Sequence, residues 1–414
     1  MRRDATSYDV IVVGAGPAGA SLSIHLAGAG AQVLLVEAKK FPRAKLCGEF
    51  ITPECFPHFA RLGVEAEMRA AGGASVAETR FYSSKGRSVT VPSAWFGGAK
   101  QTALGLSRAE MDARLLRRVR EAGVEVWEET TASNLIIEEE RVCGVRLKTS
   151  GDVREARALV TVDGTGRARA LARQVEGSRE AVKGSSDEEA EMKRRSPLVA
   201  FKAHFENVRA LDDRCEIYFY KGGYGGLSPV EAARSNLCFI VASSQVRARG
   251  SDVERVMREV LMRNERAQLM LRDARRASPW VSVALGSFGR GKLIPAEGLI
   301  TIGDAAAFID PFTGSGMLMA LESGELAAEI IARRLPHLQR DENFAFLAAD
   351  YEAQYKLKFE RRLRICAWLR RAAFAPQFVH EAAIFALRLS NAQVRRKLAR
   401  ATRQRVRAHF GARV

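Results

Sequence analysis

A β-branched run, Tyr8-Asp9-Val10-Ile11-Val12-Val13, leads without a break into Gly14-Ala15-Gly16-Pro17-Ala18-Gly19. No other stretch restricts the fold as much. A run of this kind suits a strand buried in a parallel sheet. The first glycine permits a tight turn, the second lets a pyrophosphate approach the backbone, and the third lets helix pack on strand. The segment Ala20 to Ala29 has helical composition and would present its N-terminus to a phosphate. A second strand, Gln32 to Val36, ends at Glu37, about 18 residues beyond Gly19. That carboxylate is placed to accept hydrogen bonds from ribose hydroxyls, beside Ala38, and would repel a 2′-phosphate. A glycine triplet alone is a weak signal. Strand, glycines, helix, strand and acid in register predict a dinucleotide site.

The chain of 414 residues is long for one core and suits two intimately packed regions. No apolar run approaches the roughly 18 residues needed to span a bilayer. MRRDATSYDV runs directly into a strand with no signal-peptide pattern, so a cytoplasmic location is expected. The six cysteines are scattered with no CxxC pair, which argues against a structural metal or a disulfide framework. The net charge of +17 is concentrated late: about sixteen Lys/Arg stand against two acids from Tyr355 onward.

Two further blocks decide which dinucleotide. Gly298-Leu299-Ile300-Thr301-Ile302-Gly303-Asp304 is a buried strand ending in Gly-Asp, followed by Asp310-Pro311-Phe312-Thr313-Gly314-Ser315-Gly316-Met317 and an apolar-periodic helix through Arg333. Mid-chain, Ala158-Leu159-Val160-Thr161-Val162-Asp163-Gly164 is a third strand with a glycine turn. Together with the first glycines, these blocks resemble the flavoprotein superfamily of FAD-dependent aromatic hydroxylases, flavin halogenases and geranylgeranyl reductases. The resemblance runs from about Tyr8 to Leu335. It implies an α/β fold: a Rossmann-like FAD-binding domain of glutathione-reductase type, an interleaved antiparallel-sheet substrate domain and a C-terminal helical segment. The expected divisions are 1–80, 100–175 and 285–340 for FAD, 81–99 and 176–284 for substrate, and 341–414 for the basic helical region.

The cofactor residues implied are Gly14, Gly16, Pro17, Ala18, Gly19, Glu37, Ala38, Cys47, Gly48, Arg108, Asp163, Gly164, Gly303, Asp304, Pro311, Gly314, Gly316 and Met317. In that picture Asp304 bonds the ribityl chain. Backbone N–H groups from Gly314 to Met317, at a helix N-terminus, stabilise negative charge on the flavin ring. Arg108 opens an Arg-x-x-x-Asp helix start and lies near the pyrophosphate; the alternative is a solvated terminal charge. No second GxGxxG follows a strand, so NAD(P)H is expected only as a transient reductant, with a partner reductase as the other source of electrons.

Phe41-Pro42-Arg43-Ala44-Lys45-Leu46-Cys47-Gly48-Glu49 is similar to a segment that runs beside the flavin in geranylgeranyl-reductase-like members. Gly48 would allow close backbone approach. Cys47 reads either as pocket lining or as a residue tuning reactivity. Between the Asp-Gly and Gly-Asp blocks, Val199 to Phe205, Glu216 to Tyr220 and Leu237 to Ala242 read as strands. Tyr224 to Pro229 aligns with the Tyr-x-Trp-x-Phe-Pro pattern of prenyl reductases, but Gly226 replaces the Trp and Ser228 the Phe. That substitution opens space above the flavin and keeps a hydroxylase alternative in view. Cys47 and Tyr224 are the catalytic candidates, and His58, His204 and Glu49 are possible proton donors. The Trp-x-Trp-x-Ile-Pro motif of halogenases is missing. Gly177 to Ser196 reads as a charged surface loop.

Leu357 to Ala373 and Ala382 to His409 read as helices carrying many arginines. They form a solvated cap, an interfacial element facing anionic lipid, or, with no recognised module in support, a nucleic-acid surface. The functional expectation is an FAD-dependent oxidoreductase acting on a hydrophobic isoprenoid- or polyketide-like molecule. Flavin reduced by NAD(P)H or a partner would reduce a double bond. The alternatives are a monooxygenase hydroxylating an aromatic or polyketide substrate, and a membrane-surface electron carrier.

Overall fold

The computed structural model describes residues 6–96, 101–177, 197–209, 211–286, 288–340 and 343–401. Most of the Gly177–Ser196 segment and residues 402–409 of the last expected helix lie outside these.

The first sheet is built on parallel strands in the order Glu125–Trp127, Val33–Val36, Thr6–Val13, Val153–Asp163, and Leu299–Thr301 pairs on the far side of Val153–Asp163. An antiparallel extension, Arg141–Lys148 and Thr131–Glu138, completes seven strands. Register does the functional work. Val36, Val13, Asp163 and Thr301 stand side by side, each at the carboxyl end of its strand. The four motifs that follow them therefore open on one edge, where open parallel sheets bind ligands.

Two helices cover this edge from one face, Pro17–Gly28 after the glycine loop and Gly316–Leu338 after the late Gly-Asp block. Their approach is close enough to require a glycine. A Cβ on Gly324 would come within 2.3 Å of the Ala18 carbonyl oxygen. The Ser21 hydroxyl adds a bond to the Leu321 carbonyl at 3.1 Å.

The second sheet has eight strands: Arg275–Arg276, Leu198–Glu206, Ser235–Ala242, Gly223–Pro229, Arg214–Tyr220, Glu78–Tyr82 and Ser88–Pro92 in order, with Val281–Leu285 also on Leu198–Glu206. Its pairings are antiparallel with one exception. Arg214–Tyr220 lies parallel to Glu78–Tyr82, since those strands come from distant parts of the chain and no hairpin joins them. The sheet takes up the chain at Glu78, ahead of the expected boundary at 81.

The C-terminal helices divide into two kinds. Phe344–Ala373 is integral: Phe344, Leu347, Tyr351, Tyr355 and Phe359 join the core around the first sheet. Buried Arg362 pairs with Glu322 at 2.5 Å, and the Tyr351 hydroxyl donates to the Thr301 carbonyl. Beyond it, the expected single helix from Ala382 is two, Gln377–Leu389 and Ala392–Ala401. Ser390 is extended, and the Asn391 carboxamide caps the second helix by accepting from the Val394 N–H. Gln377–Leu389 buries only His380 and Ile384, the former tilted against the Phe219 ring with centroids 4.5 Å apart, and leaves Phe378, Phe385 and Leu389 exposed.

Candidate active site

A cleft of about 610 Å³ runs along the shared carboxyl edge and out across the second sheet. At its inner end, each glycine of the loop has a separate reason. A Cβ on Gly14 would lie 2.3 Å from the Gly164 carbonyl oxygen, and one on Gly19 would lie 2.0 Å from the Gly14 carbonyl oxygen, so both are packing glycines. Gly16 faces the opening. The nearest atom to a Cβ there would be Arg108 Nη2 at 3.9 Å. The Glu37 carboxylate is fixed by the Ala15 and Lys39 N–H groups, both at 3.0 Å, and lines the cleft with Ala38.

Arg108 is not a solvated terminal charge. It is buried, and its guanidinium forks onto the fully buried Asp112 with both bonds at 2.8 Å, while Ser107 caps the helix by accepting from the Glu110 N–H. Asp304 lines the cleft opposite. Burial pushes its pKa up, against the opposing pull of Arg167, Arg108 and Lys45. Burial lowers the pKa of Lys45, helped by Arg43, Arg108 and Arg167. Four cations, Arg43, Lys45, Arg108 and Arg167, therefore line one wall of the cleft, which favours an anionic ligand such as a pyrophosphate. Pro311, Gly314, Gly316 and Met317 complete this end, where the first N–H groups of Gly316–Leu338 lie.

The Cys47–Glu49 loop bridges to the second sheet. A Cβ on Gly48 would meet nothing within 4 Å, so its backbone is open to the cleft. Glu49 is fully buried, with a left-handed φ of 55°. It accepts from Lys202 Nζ at 2.5 Å, from His204 Nε2 at 2.6 Å and from the Arg108 N–H at 2.9 Å. Burial pushes the Glu49 pKa up, but the His204 and Lys202 contacts outweigh it and hold the carboxyl below its usual range. The Cys47 carbonyl accepts from Asn236 at 3.0 Å, and Glu231 accepts from the Ser107 N–H at 2.9 Å.

This arrangement fits FAD: a dinucleotide loop, a ribose-side carboxylate, a cationic wall and a helix N-terminus along one cleft. The profile of the FAD binding domain family matches residues 7–336. The chain belongs to that family. The flavoprotein is 25% identical over 367 residues to digeranylgeranylglycerophospholipid reductase 2 of Methanopyrus kandleri, covering 86% of this chain and 84% of that one. Menaquinone reductase of Mycolicibacterium smegmatis is 27% identical over 353 residues, 79% and 76% of the two chains. Among solved structures, flavin-dependent brominase Bmp2 superposes with a TM-score of 0.75 at 22% identity, covering 96% and 93%. A geranylgeranyl bacteriochlorophyll reductase-like protein of Thermoplasma acidophilum gives 0.71 at 20% identity, covering 97% and 93%. These structural likenesses establish the fold. The flavoprotein is an FAD-dependent oxidoreductase. FAD, when bound, supplies two-electron redox chemistry.

The structure separates the candidates. Asp163 is fully buried and turned into the protein: Thr165 donates to one of its oxygens, and the Leu171 and Ala172 N–H groups to the other. Its neighbours Gly164 and Thr165 form the wall. Tyr224 lines the cleft with its ring, but its hydroxyl donates to Asp310 on the far side. Burial and then Asp310 push that phenol well above its usual pKa, which disfavours a role as proton donor. Tyr224→Phe is accordingly expected to destabilise the fold by about 1–3 kcal/mol, for the loss of a buried bond to a carboxylate. Flavin reduction should stay near the parent rate, as denaturant unfolding and stopped-flow absorbance would show. His58 pairs with Glu325 at 2.9 Å, away from the cleft. Lys45, Arg167 and Lys202 carried no role in the sequence reading. Arg167 directly follows the central glycine turn, and Lys202 with His204 stands at alternate positions of one strand, so that both face the same side.

Proposed function

We propose that the flavoprotein reduces a carbon–carbon double bond in a hydrophobic, isoprenoid-like molecule, with NAD(P)H or a partner protein supplying electrons. The observation that carries this is the continuity of the cleft. It passes from the cationic wall to an apolar face made by Ile217, Ile240, Cys215 and Cys238, with Gly226 between them. Arg108, Lys45 and Arg167 hold the anionic part of the cofactor, Glu37 orients the ribose end, and the sheet face excludes water from the reacting end. The relatives' names, a digeranylgeranyl-lipid reductase and a menaquinone reductase, point to the same substrate class. Gly226 favours a second reading. Where prenyl reductases carry a Trp, this chain has no side chain, and Ile217 Cδ1, 3.1 Å from where a Cβ would stand, makes a low aliphatic wall that suits a ring and hydroxylation with oxygen.

Cys47 serves here as lining. Its sulfur accepts from the Glu49 N–H at 3.4 Å and lies beside the Arg108 guanidinium. Cys47→Ser should change the flavin reduction rate by less than about twofold under anaerobic stopped flow, since serine retains the acceptor. A loss of more than tenfold would make the thiol a participant.

The C-terminal helices provide a contact surface for anionic membrane. Among the described residues no helix is long and apolar enough to cross one. Trp368, Phe378, Phe385 and Leu389 are nevertheless all more than half exposed, interspersed with arginines.

The deciding experiment follows flavin absorbance anaerobically after NADPH or NADH, then after a geranylgeranyl lipid. Colour that is lost with nucleotide and returns with the lipid supports the reductase reading. Colour that returns only on admitting oxygen with an aromatic substrate supports the monooxygenase.

A further inference from the structure

A second cavity of about 500 Å³ lies behind the cleft, walled by one face of Phe344–Ala373. Leu363, Cys366, Ala367, Arg370 and Arg371 line it at helical spacing, and Phe374 follows, so a single stripe faces the space. Phe288 and Leu198 oppose them. Phe308 and Ile309 line both this cavity and the cleft, so they form the wall between the two. Phe308 stacks on Phe288 with centroids 4.8 Å apart.

The polar groups of this cavity are ordered from inside to outside. Asp310 is 2% exposed. One of its oxygens receives Tyr224 and the Phe312 N–H. The other has no hydrogen-bond partner and lies 3.6 Å from Arg370 Nε. The Arg370 guanidinium sits 3.7 Å over the Phe288 ring. Arg371 and Ala367 are exposed and form the mouth. An anion is repelled from the Asp310 end and attracted to the arginine end, while the aromatic walls between favour hydrocarbon. A ligand with both parts has only one favourable orientation. The mouth adjoins Trp368, which is 64% exposed.

We propose that this cavity binds an anionic amphiphile, its head group at Arg371 and Arg370 and its chain directed inward past Phe288 and Leu363 toward the Phe308–Ile309 wall. The site is separate from the reaction assigned to the cleft, and binding alone tests it.

The test is calorimetric titration of the FAD-loaded full chain with decanoate and with 1-decanol. Saturable decanoate binding near one equivalent is expected. Ala367→Trp, which fills the exposed mouth without touching the core, should weaken both probes at least tenfold. Arg371→Glu should weaken decanoate about tenfold and leave decanol within twofold. Two arms identify the source of the ligand. Phosphatidylglycerol in phosphatidylcholine vesicles is incubated with the protein, and lipid retained after repurification is measured by mass spectrometry. Retention abolished by Ala367→Trp supports the site with membrane lipid as its ligand, and decanoate binding without retention supports it with a free amphiphile. No saturable decanoate binding overturns the proposal. Binding that neither variant alters also overturns it, since the probe would then occupy the cleft.

Discussion

Glu49→Gln should lower the unfolding free energy by about 3 kcal/mol, in the range measured when one partner of a buried ion pair is removed. The carboxylate is fully buried and holds Lys202, which is itself 3% exposed, so the change strands an ammonium group with little access to water. Adding Lys202→Met should recover most of the loss, because the double variant buries no unpaired charge. The pH dependence has a definite sign. Glu49 titrates below its usual range when folded, so its stabilisation is complete above the unfolded value near ~4.3 and disappears as pH falls through the folded value. The gap between the parent and Glu49→Gln should therefore narrow in acid, as pH falls through the folded value. Urea unfolding at several pH values measures this. A gap under about 1 kcal/mol at neutral pH would mean that Lys202 finds another partner or water.

Asp304→Ala should weaken FAD binding by about 10- to 100-fold, the loss that follows if, as we propose, its carboxylate accepts one strong bond from a ribityl hydroxyl. The carboxylate lines the cleft, and among the described residues its side chain makes no hydrogen bond to the protein. Apoprotein stability should therefore change little, whereas loss of a structural residue would lower both. Asp304→Asn should retain part of the affinity, since the amide oxygen still accepts. Flavin absorbance after dialysis, together with unfolding of the apoprotein, distinguishes these outcomes. Full occupancy in Asp304→Ala would remove this residue from the cofactor site.

The parts of the site that could be read from sequence are those whose requirement is local. Gly19 answers to the Gly14 carbonyl within one strand–turn–helix unit, Gly14 has a local need in its φ of 109° beside its distant contact with Gly164, and Arg108 and Asp112 are one helical turn apart. The three glycine blocks carried the family resemblance, and it was the resemblance that implied the first sheet with a substrate domain interleaved in the chain between them. Glu49 shows the opposite case. Its partners Lys202 and His204 stand 153 and 155 residues away, and no local rule pairs them. The available signal was two polar side chains on the same face of an otherwise apolar strand. Asp163 was legible as a motif and not as a contact, since its carboxylate bends back to Leu171 and Ala172 at a turn whose path the sequence does not determine. The break at Ser390 was missed because apolar spacing on both sides of it fits a helix, although Asn391 is a strong cap.

The bonds that tie the Cys47–Glu49 loop and Ser107 to the second sheet have a thermodynamic consequence. They join the proposed cofactor wall to the proposed substrate face by one buried and two part-buried polar links. A molecule that shifts the strand bearing Lys202 and His204 also shifts Glu49 and the amide end of Arg108. Affinities on the two sides are then linked, and linkage is reciprocal: whatever factor a substrate imposes on cofactor binding, the cofactor imposes on the substrate.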